Sequence, residues 1–448
     1  MRQQPFTAAR ANPEVSSSLS SSVHPTARDA TDRHAAPAQP PGAAPLRILF
    51  HVNDFGKGGT ETSLLAWLKA LDRQHFAPAV SVAYPTDDLE FWRAHSLPVD
   101  VPVHVLAPSR WMHRTHELTR TRKLKGGTKL YHKLLTYTAV RPLSAARFKR
   151  LARGFDLVCD YDFSLRHLAG RCGVPVVGVS HFSLAERLGK RSARFLAQRI
   201  AQLKRYAAVA VLTPDMAREA QALFGHEPVK VVELPNVIDI AALREQADAP
   251  ADCPADPFIV SVARLDEGQK DHATLLRAFA QVSARQSARV DLVLIGEGRD
   301  RGKLERLTDE LGLRERVHFQ GFCANPFAAI RRARMLVLSS RYEGFGMVLG
   351  EAMAIGTPVI SADCPTGPRD LLDGGEAGLL VPPGDVDAMA TAIERLLTDT
   401  PLRERQIEHA SRKIASFAPE RASERMLKLA QQVLGPGLGA RPARSRPE

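Results

Sequence analysis

Residues 339–360 read SSRYEGFGMVLGEAMAIGTPVI. The run just before and into this stretch, 335–339, has the length and apolar content of a buried strand, and 358–362 supplies another. Between them Glu343 lies in a loop and a helix begins near Gly346. Strand, loop, helix and strand at this spacing make the unit of a parallel α/β sheet. The helix would turn its unpaired amides and the positive end of its dipole toward whatever sits beside Phe345, Gly346 and Met347, which makes an anion site. Glu351 follows Glu343 by eight positions, inside the helix. A carboxylate accepts two hydrogen bonds from a vicinal diol, so Glu351 suits a ribose and Glu343 suits sugar hydroxyls. Read alone, the two would also pass for a loop Glu and a surface-helix Glu.

The same grammar extends outward. Strands are expected at 258–263, 291–295 and 317–320, with helices at 271–284, 301–311 and 326–332. Toward the N-terminus the reading gives strand 46–52, a glycine-containing loop 53–60, helix 61–71, strand 79–84, strand 156–159 leading into helix 164–171, and strands 174–180 and 207–212. A further helix opens at Thr213 and Pro214. This alternation predicts two doubly wound α/β domains, Rossmann-like, over 46–240 and 241–415, with a linker inside 239–257. Residues 1–45, rich in Ala, Pro and Ser, and 435–448 are expected to be disordered tails. In such sheets ligands bind beyond the carboxyl ends of the strands.

At 448 residues, 44% hydrophobic and 25% charged, the chain has the balance of a soluble globular protein of two domains. Five cysteines form no close pair of the zinc-clamping or redox type, and read as scattered core thiols of a reducing cytoplasm. No run approaches the roughly 20 apolar residues that a spanning helix needs, and residues 1–45 lack the apolar block of a secretory signal. The reading is therefore cytoplasmic. The net charge of +12 favours an anionic partner, and residues 110–153 hold thirteen Lys/Arg against the single acid Glu117. Trp111, Leu130, Tyr131, Leu134, Leu135 and Tyr137 interleave with these cations, as in a helix lying on an anionic leaflet. A solvated basic loop is the plainer alternative. No recognition module accompanies the charge, so nucleic acid is not expected.

Further matches accompany Glu343 and Glu351: Ser261-Val262-Ala263-Arg264-Leu265 with Lys270, the Gly296-Glu297-Gly298 turn, Gly321, Glu-Ala-Met-Ala at 351–354, Gly356-Thr357-Pro358-Val359 and Gly378-Leu379-Leu380-Val381. In this order they resemble the retaining glycosyltransferases of the GT-B fold, the group-1 family known as family 4, over most of 46–425. The resemblance implies two Rossmann-like domains facing across a cleft. The N-terminal one would bind acceptor and the C-terminal one a nucleotide-sugar, with a helix at 416–434 returning to the first.

The resemblance also assigns roles. Arg264 and Lys270 would stabilise the departing nucleoside diphosphate, and two cations can converge on a diphosphate there. His181 matches a histidine that approaches the donor sugar, where composition alone leaves a structural His. Gly58 and Gly59, with Thr60, would lie over the donor phosphates, small residues permitting close backbone approach, or would form a simple tight turn. Backbone near Gly321 and the ring of Phe322 fall where the donor base lies, with plain core as the other reading of Phe322. Gly296, Gly298 and Gly302 miss the dinucleotide fingerprint by one position and read as a turn. Asp160-Tyr161-Asp162 spells a metal-binding triplet of another fold and reads as structural, or with Asp162 lining the acceptor side. Val237 stands where the family usually has glycine.

The activity implied is retaining transfer of a sugar, from a UDP-sugar first of all, to a glycan or lipid-linked acceptor. Pro365-Thr366-Gly367-Pro368-Arg369 resembles variants acting on bacterial surface polysaccharides. That points to lipopolysaccharide or surface-polysaccharide synthesis at the cytoplasmic face of the inner membrane, without metal or other cofactor. Rival readings are a sugar-nucleotide epimerase on the same fold, a Rossmann oxidoreductase, and a non-catalytic sugar-nucleotide-binding protein at the membrane.

Overall fold

The computed structural model describes residues 44–435 except 57, 122–125, 189–190, 251–252, 255–256 and 286–288. The tails expected over 1–45 and 435–448 lie outside the described residues but for 44, 45 and 435, as do parts of the expected linker and of the basic segment. Two parallel sheets organise the rest. The first holds β1 (Leu46–Val52), β2 (Phe76–Val82), β3 (Val103–Val105), β4 (Leu157–Asp160), β5 (Val176–Ser180), β6 (Ala208–Val211) and β7 (Val231–Glu233), in the order β3-β2-β1-β4-β5-β6-β7. The second holds β8 (Phe258–Val262), β9 (Asp291–Ile295), β10 (Val317–Gly321), β11 (Leu336–Leu338), β12 (Val359–Ala362) and β13 (Leu379–Val381), in the order β10-β9-β8-β11-β12-β13. In each sheet the order reverses beside its first strand, between β1 and β4 and between β8 and β11. Loops leaving those strands diverge and open a crevice.

The strands are continuous apolar runs because helices cover both faces of each sheet. β1 and β4 are buried almost throughout. One apolar core runs through the first sheet and reaches the inner side of the second through Val237, Ile238, Leu349, Met353, Ile414 and Met426. A second fills the outer side of the second sheet around Ile259, Leu275, Phe279, Leu292 and Ile393. Helix Ala422–Leu434 lies against helix Gly59–Ala70 of the first sheet's layer. Ser423 Oγ accepts from the Asp72 amide at 2.9 Å, and Lys230 Nζ donates to the Gln432 carbonyl at 2.6 Å.

Three expectations need correction. Residues 164–171 form successive turns, not a helix. Phe163 and Gly170 take positive φ, and the carboxylates of Asp160 and Asp162 capture the amides of Leu165 and Ser164, so the first turn closes on side chains. The strand expected over 79–84 is β2, three residues earlier. The expected linker contains helix Ile240–Ala247, capped by Asp239 Oδ1 accepting from the Ala242 amide at 3.0 Å. Val237 is buried in ordinary backbone, so the turn needs no glycine there.

Among the described residues no helix is long and apolar enough to cross a membrane. None of the five cysteines is in a disulfide; Cys159, Cys172 and Cys364 are buried as expected of core thiols, whereas Cys323 is exposed.

Candidate active site

A cleft of about 650 Å³ opens between the two sheets at the carboxyl ends of β1, β8 and β11. The segment after β1 contributes Gly58, Gly59 and Thr60. Helix Gly59–Ala70 starts there, so its first amides face the cleft. Gly58 serves as the N-cap in extended backbone, and Glu61 Oε1 holds the loop by accepting from the Gly56 amide at 3.1 Å. Burial, the largest cause, raises the Glu61 carboxyl pKa.

From the other sheet, helix Met347–Ile355 presents a second N-terminus. Its N-cap is Gly346 in the left-handed region (φ 79°), a conformation that costs glycine little. Phe345, Gly346 and Met347 all line the cleft. Two helix N-termini and the cations Arg264 and Lys270, on the loop leaving β8, thus converge on one space.

Asn236 ties the domains behind this space. Its Oδ1 accepts from Ser63 Oγ at 2.6 Å and its Nδ2 donates to Met347 Sδ at 3.2 Å, so one buried amide touches both helix starts. Sequence reading singled out the neighbouring Val237 and foresaw neither partner of Asn236.

Glu343 is buried, and its Oε1 accepts from Lys270 Nζ and from Ser340 Oγ, each at 2.5 Å. The expectation had put Lys270 on a diphosphate and Glu343 on sugar hydroxyls; here they form one ion pair. The pair sits on the cleft wall, where an arriving anion would compete with Glu343 for the ammonium. Arg264 is exposed, with Nη2 donating to Gln269 Oε1 at 3.1 Å.

Glu351 lies one turn into its helix, half-buried on the cleft wall, and loss of water pushes its carboxyl up to about 7. His181 directly follows β5, opposite. Its ring packs 4.9 Å from that of Tyr161, burial pushes its pKa down to about 4, and its buried Nε2 has no hydrogen-bond partner. A neutral imidazole with one unused nitrogen on a cleft wall is ready to bond to a ligand.

Gly344 escaped sequence reading. A Cβ built on it would lie 1.7 Å from the His181 carbonyl oxygen, so the two domains meet here backbone to backbone. The lone clue was a second glycine beside Gly346.

Gly321 and Phe322 stand apart from the other candidates and do not line the cleft. β10 is the edge strand of its sheet, two strands from β8. Phe322 is 58% exposed, which also excludes the core reading. Gly321 has φ 74°, and a Cβ there would meet Glu297 Oε1 at 2.8 Å. Gly296 and Gly298 are turn residues whose added Cβ atoms would collide with the carbonyls of Ala263 and Leu265. They let the loop that carries Arg264 and Lys270 pack tightly against the turn after β9.

Asp160 is structural, accepting from Tyr206 Oη at 2.7 Å and from the Leu165 amide at 2.9 Å. Asp162 lines a second cavity in the first domain. Among the described residues no group of three or more His, Cys, Asp or Glu is placed to hold a metal ion.

Residues 57–242 match the family described as Glycosyltransferase Family 4, and residues 245–413 match Glycosyl transferases group 1. The N-acetylgalactosamine-N,N'-diacetylbacillosaminyl-diphospho-undecaprenol 4-alpha-N-acetylgalactosaminyltransferase of Campylobacter jejuni is 34% identical over 194 residues, 43% of this chain and 52% of that protein. The lipopolysaccharide core biosynthesis glycosyltransferase LpsD of Rhizobium meliloti is 33% identical over 211 residues, 47% of this chain and 59% of that protein. The chain thus spans about half the length of the curated relatives it matches. Among solved structures, HepE from Anabaena in complex with UDP and glucose superposes with a TM-score of 0.64 at 20% identity, covering 86% of this chain and 99% of that one.

Proposed function

Because the chain belongs to the group 1, family 4 glycosyltransferases, with the facing Rossmann-like domains of the GT-B fold, we propose that it transfers a sugar from a nucleotide-sugar to a glycan or lipid-linked acceptor. The observation that carries this reading is the convergence of Arg264, Lys270 and two helix N-termini on one interdomain cleft. Four sources of positive potential in so small a space fit a diphosphate better than any neutral ligand. Glu351, one turn deeper, fits the two hydroxyls of a ribose. A UDP-sugar is the first choice of donor, supported by the UDP and glucose held by HepE.

The acceptor oxygen attacks the anomeric carbon on the face from which the diphosphate departs. The bond from that carbon to the diphosphate oxygen breaks, and the diphosphate takes the acceptor's proton, so configuration is retained. Lys270, Arg264 and the amides at Gly346 and Met347 stabilise charge growing on the leaving group, and domain closure orients the partners. His181 Nε2 bonds to the donor sugar, and Glu343 shares Lys270 with the diphosphate. With charge handled by side chains and amides, the reaction needs no metal.

The acceptor is a component of lipopolysaccharide or surface polysaccharide. The diphospho-undecaprenol substrate in the name of the Campylobacter relative and the role of LpsD support this choice. The protein would reach a lipid-linked acceptor by resting on the cytoplasmic face of the inner membrane. Trp111, Leu130, Tyr131, Leu134 and Tyr137 are exposed among the basic helices Arg110–Thr121 and Gly126–Leu135 and the turn that follows, which suits an anionic leaflet.

The test is calorimetric titration with UDP-, GDP- and ADP-sugars, followed by transfer of radiolabelled sugar from the best binder to a bacterial lipid extract. Label in the lipid or glycan fraction with inversion-free stereochemistry supports the proposal. Binding without transfer, or conversion to an epimeric nucleotide-sugar, would overturn it.

A further inference from the structure

The second cavity, of about 410 Å³, lies in the first domain at the carboxyl ends of β1 and β4. His51, His116, His132, His167, Arg141 and Arg166 line it. Asp162 is the single acid of that lining, and both of its oxygens are already engaged, by the Asn53 amide at 2.8 Å and the Ser164 amide at 2.9 Å. The guanidinium groups are held for another purpose than an internal ion pair. Arg166 Nη1 donates to the Phe163 carbonyl at 2.9 Å, and Arg141 lies 4.5 Å over the Tyr137 ring; among the described residues neither is ion-paired to a carboxylate.

Three of the histidines add donors without adding charge, and the fourth, His116, has its Nε2 3.3 Å from Asp54 Oδ2. Burial lowers the pKa of His51, His132 and His167, which keeps their rings neutral, each with one N–H and one lone pair. His132 Nδ1 is buried without a hydrogen-bond partner. Two forked cations with neutral N–H donors around them are the recognition chemistry of a group with several anionic oxygens, such as a phosphate ester or diphosphate. Asn53, Thr136, Ser144 and Ser164 offer acceptors that a neutral saccharide could also use, but the two guanidinium groups favour an anionic one.

The cavity and the cleft share a wall. The chain leaving β1 lines the cavity at Asn53 and the cleft at Gly56 and Gly58. Tyr161 packs on His181 of the cleft, while its neighbour Asp162 faces the cavity. His116 and His132 belong to the two basic helices that carry Trp111, Leu130 and Leu134 on their exposed side.

We propose that this cavity binds the phosphate-bearing head of the acceptor, so that the hydroxyl to be glycosylated extends into the donor cleft; the assignment to an acceptor rests on sugar transfer at that cleft. The phosphate is carried either by a lipid or by a soluble sugar phosphate, and recognition is through the shared group.

The experiment titrates the full chain, saturated with UDP to block the donor cleft, with geranyl diphosphate and with inorganic pyrophosphate. The wild type binds at least one probe. Arg141→Gln with Arg166→Gln weakens that binding by about ten-fold or more, the loss expected for removing charge-assisted hydrogen bonds, and leaves UDP affinity unchanged. Equal binding of both probes means that the phosphate alone is recognised, as for a soluble source. Preference for geranyl diphosphate means a lipid-borne one. Arg141 is exposed, so Arg141→Gln alone provides a variant whose folding is not at stake. Absence of binding by both probes, or equal binding by the double variant, overturns the proposal. Should UDP itself fail to bind, the donor reading fails, and the same titration without UDP still decides the cavity through the arginine variants.

Discussion

The backbone of Gly344 rests on the carbonyl of His181, one from each domain, with no room between them for a single methyl group. Closure of the cleft therefore depends on a missing side chain. Gly344→Ala must push the domains apart at the point where His181 lines the cleft. Transfer should fall by about 100-fold, the scale on which a misplacement near 1 Å acts, while small-angle scattering shows a larger radius of gyration. Unchanged turnover would mean that closure at this point is not needed.

Lys270 carries two duties, and they can be separated. Lys270→Ala removes charge from the diphosphate site and should lower turnover by about 100- to 1000-fold. It also leaves the buried Glu343 carboxylate unpaired, at a cost of about 3–5 kcal/mol. Adding Glu343→Gln should restore most of the lost melting temperature but none of the turnover, checked by thermal melts beside the transfer assay.

Glu351 titrates near 7 in the empty protein, and only its ionised form accepts two hydroxyl hydrogens. Affinity for the nucleotide should thus rise as pH climbs through about 7, and Glu351→Gln should flatten that dependence. The same raised pKa destabilises the fold. An unfolded carboxyl ionises near its ordinary value, the folded one near 7, so stability falls across that window as pH rises. Glu351→Gln should accordingly melt higher than wild type at pH 8 and about equally at pH 4.

His181 Nε2 satisfies nothing in the empty protein. His181→Phe should keep the melting temperature within a few degrees and lower transfer by about ten-fold or more, the loss of one hydrogen bond to the sugar. A large stability loss with intact transfer would return this histidine to a structural role.

The basic helices provide a fifth measurement. Cosedimentation with vesicles containing phosphatidylglycerol should exceed that with phosphatidylcholine vesicles, weaken with added salt, and drop when Trp111 and Leu134 are replaced by Ser. Binding indifferent to lipid charge would leave that face merely solvated.

Much of the candidate site was legible in the sequence because it is built from loops whose residues are few and chemically marked. Glu343, Glu351, Arg264 and Lys270 announce anion and diol chemistry by type and spacing. Pairings were not legible. Nothing in the order of residues says that Lys270 lies on Glu343, that Asn236 joins Ser63 to Met347, or that Gly344 meets His181. Those contacts span tens to hundreds of positions and arise only when the sheets close. Whether Phe322 lies in the core was not legible either, because strand order decides it, and β10 is an edge strand whose following residue is exposed. Residues 164–171 had helical composition, but two aspartates ahead of them bound the amides a helix would need.

Helix Ala422–Leu434 has a consequence for how the protein is made. It covers helix Gly59–Ala70, with Met426, Leu427, Leu429 and Ala430 buried, so the first domain is completed by residues synthesised after the second. At about 5–20 residues per second, the ribosome holds the nascent first domain for roughly tens of seconds with this apolar stripe uncovered. A holdase chaperone that shields the stripe until translation passes residue 434 should raise the yield of active protein, and two halves produced as separate chains should recover activity only when the C-terminal half retains that helix.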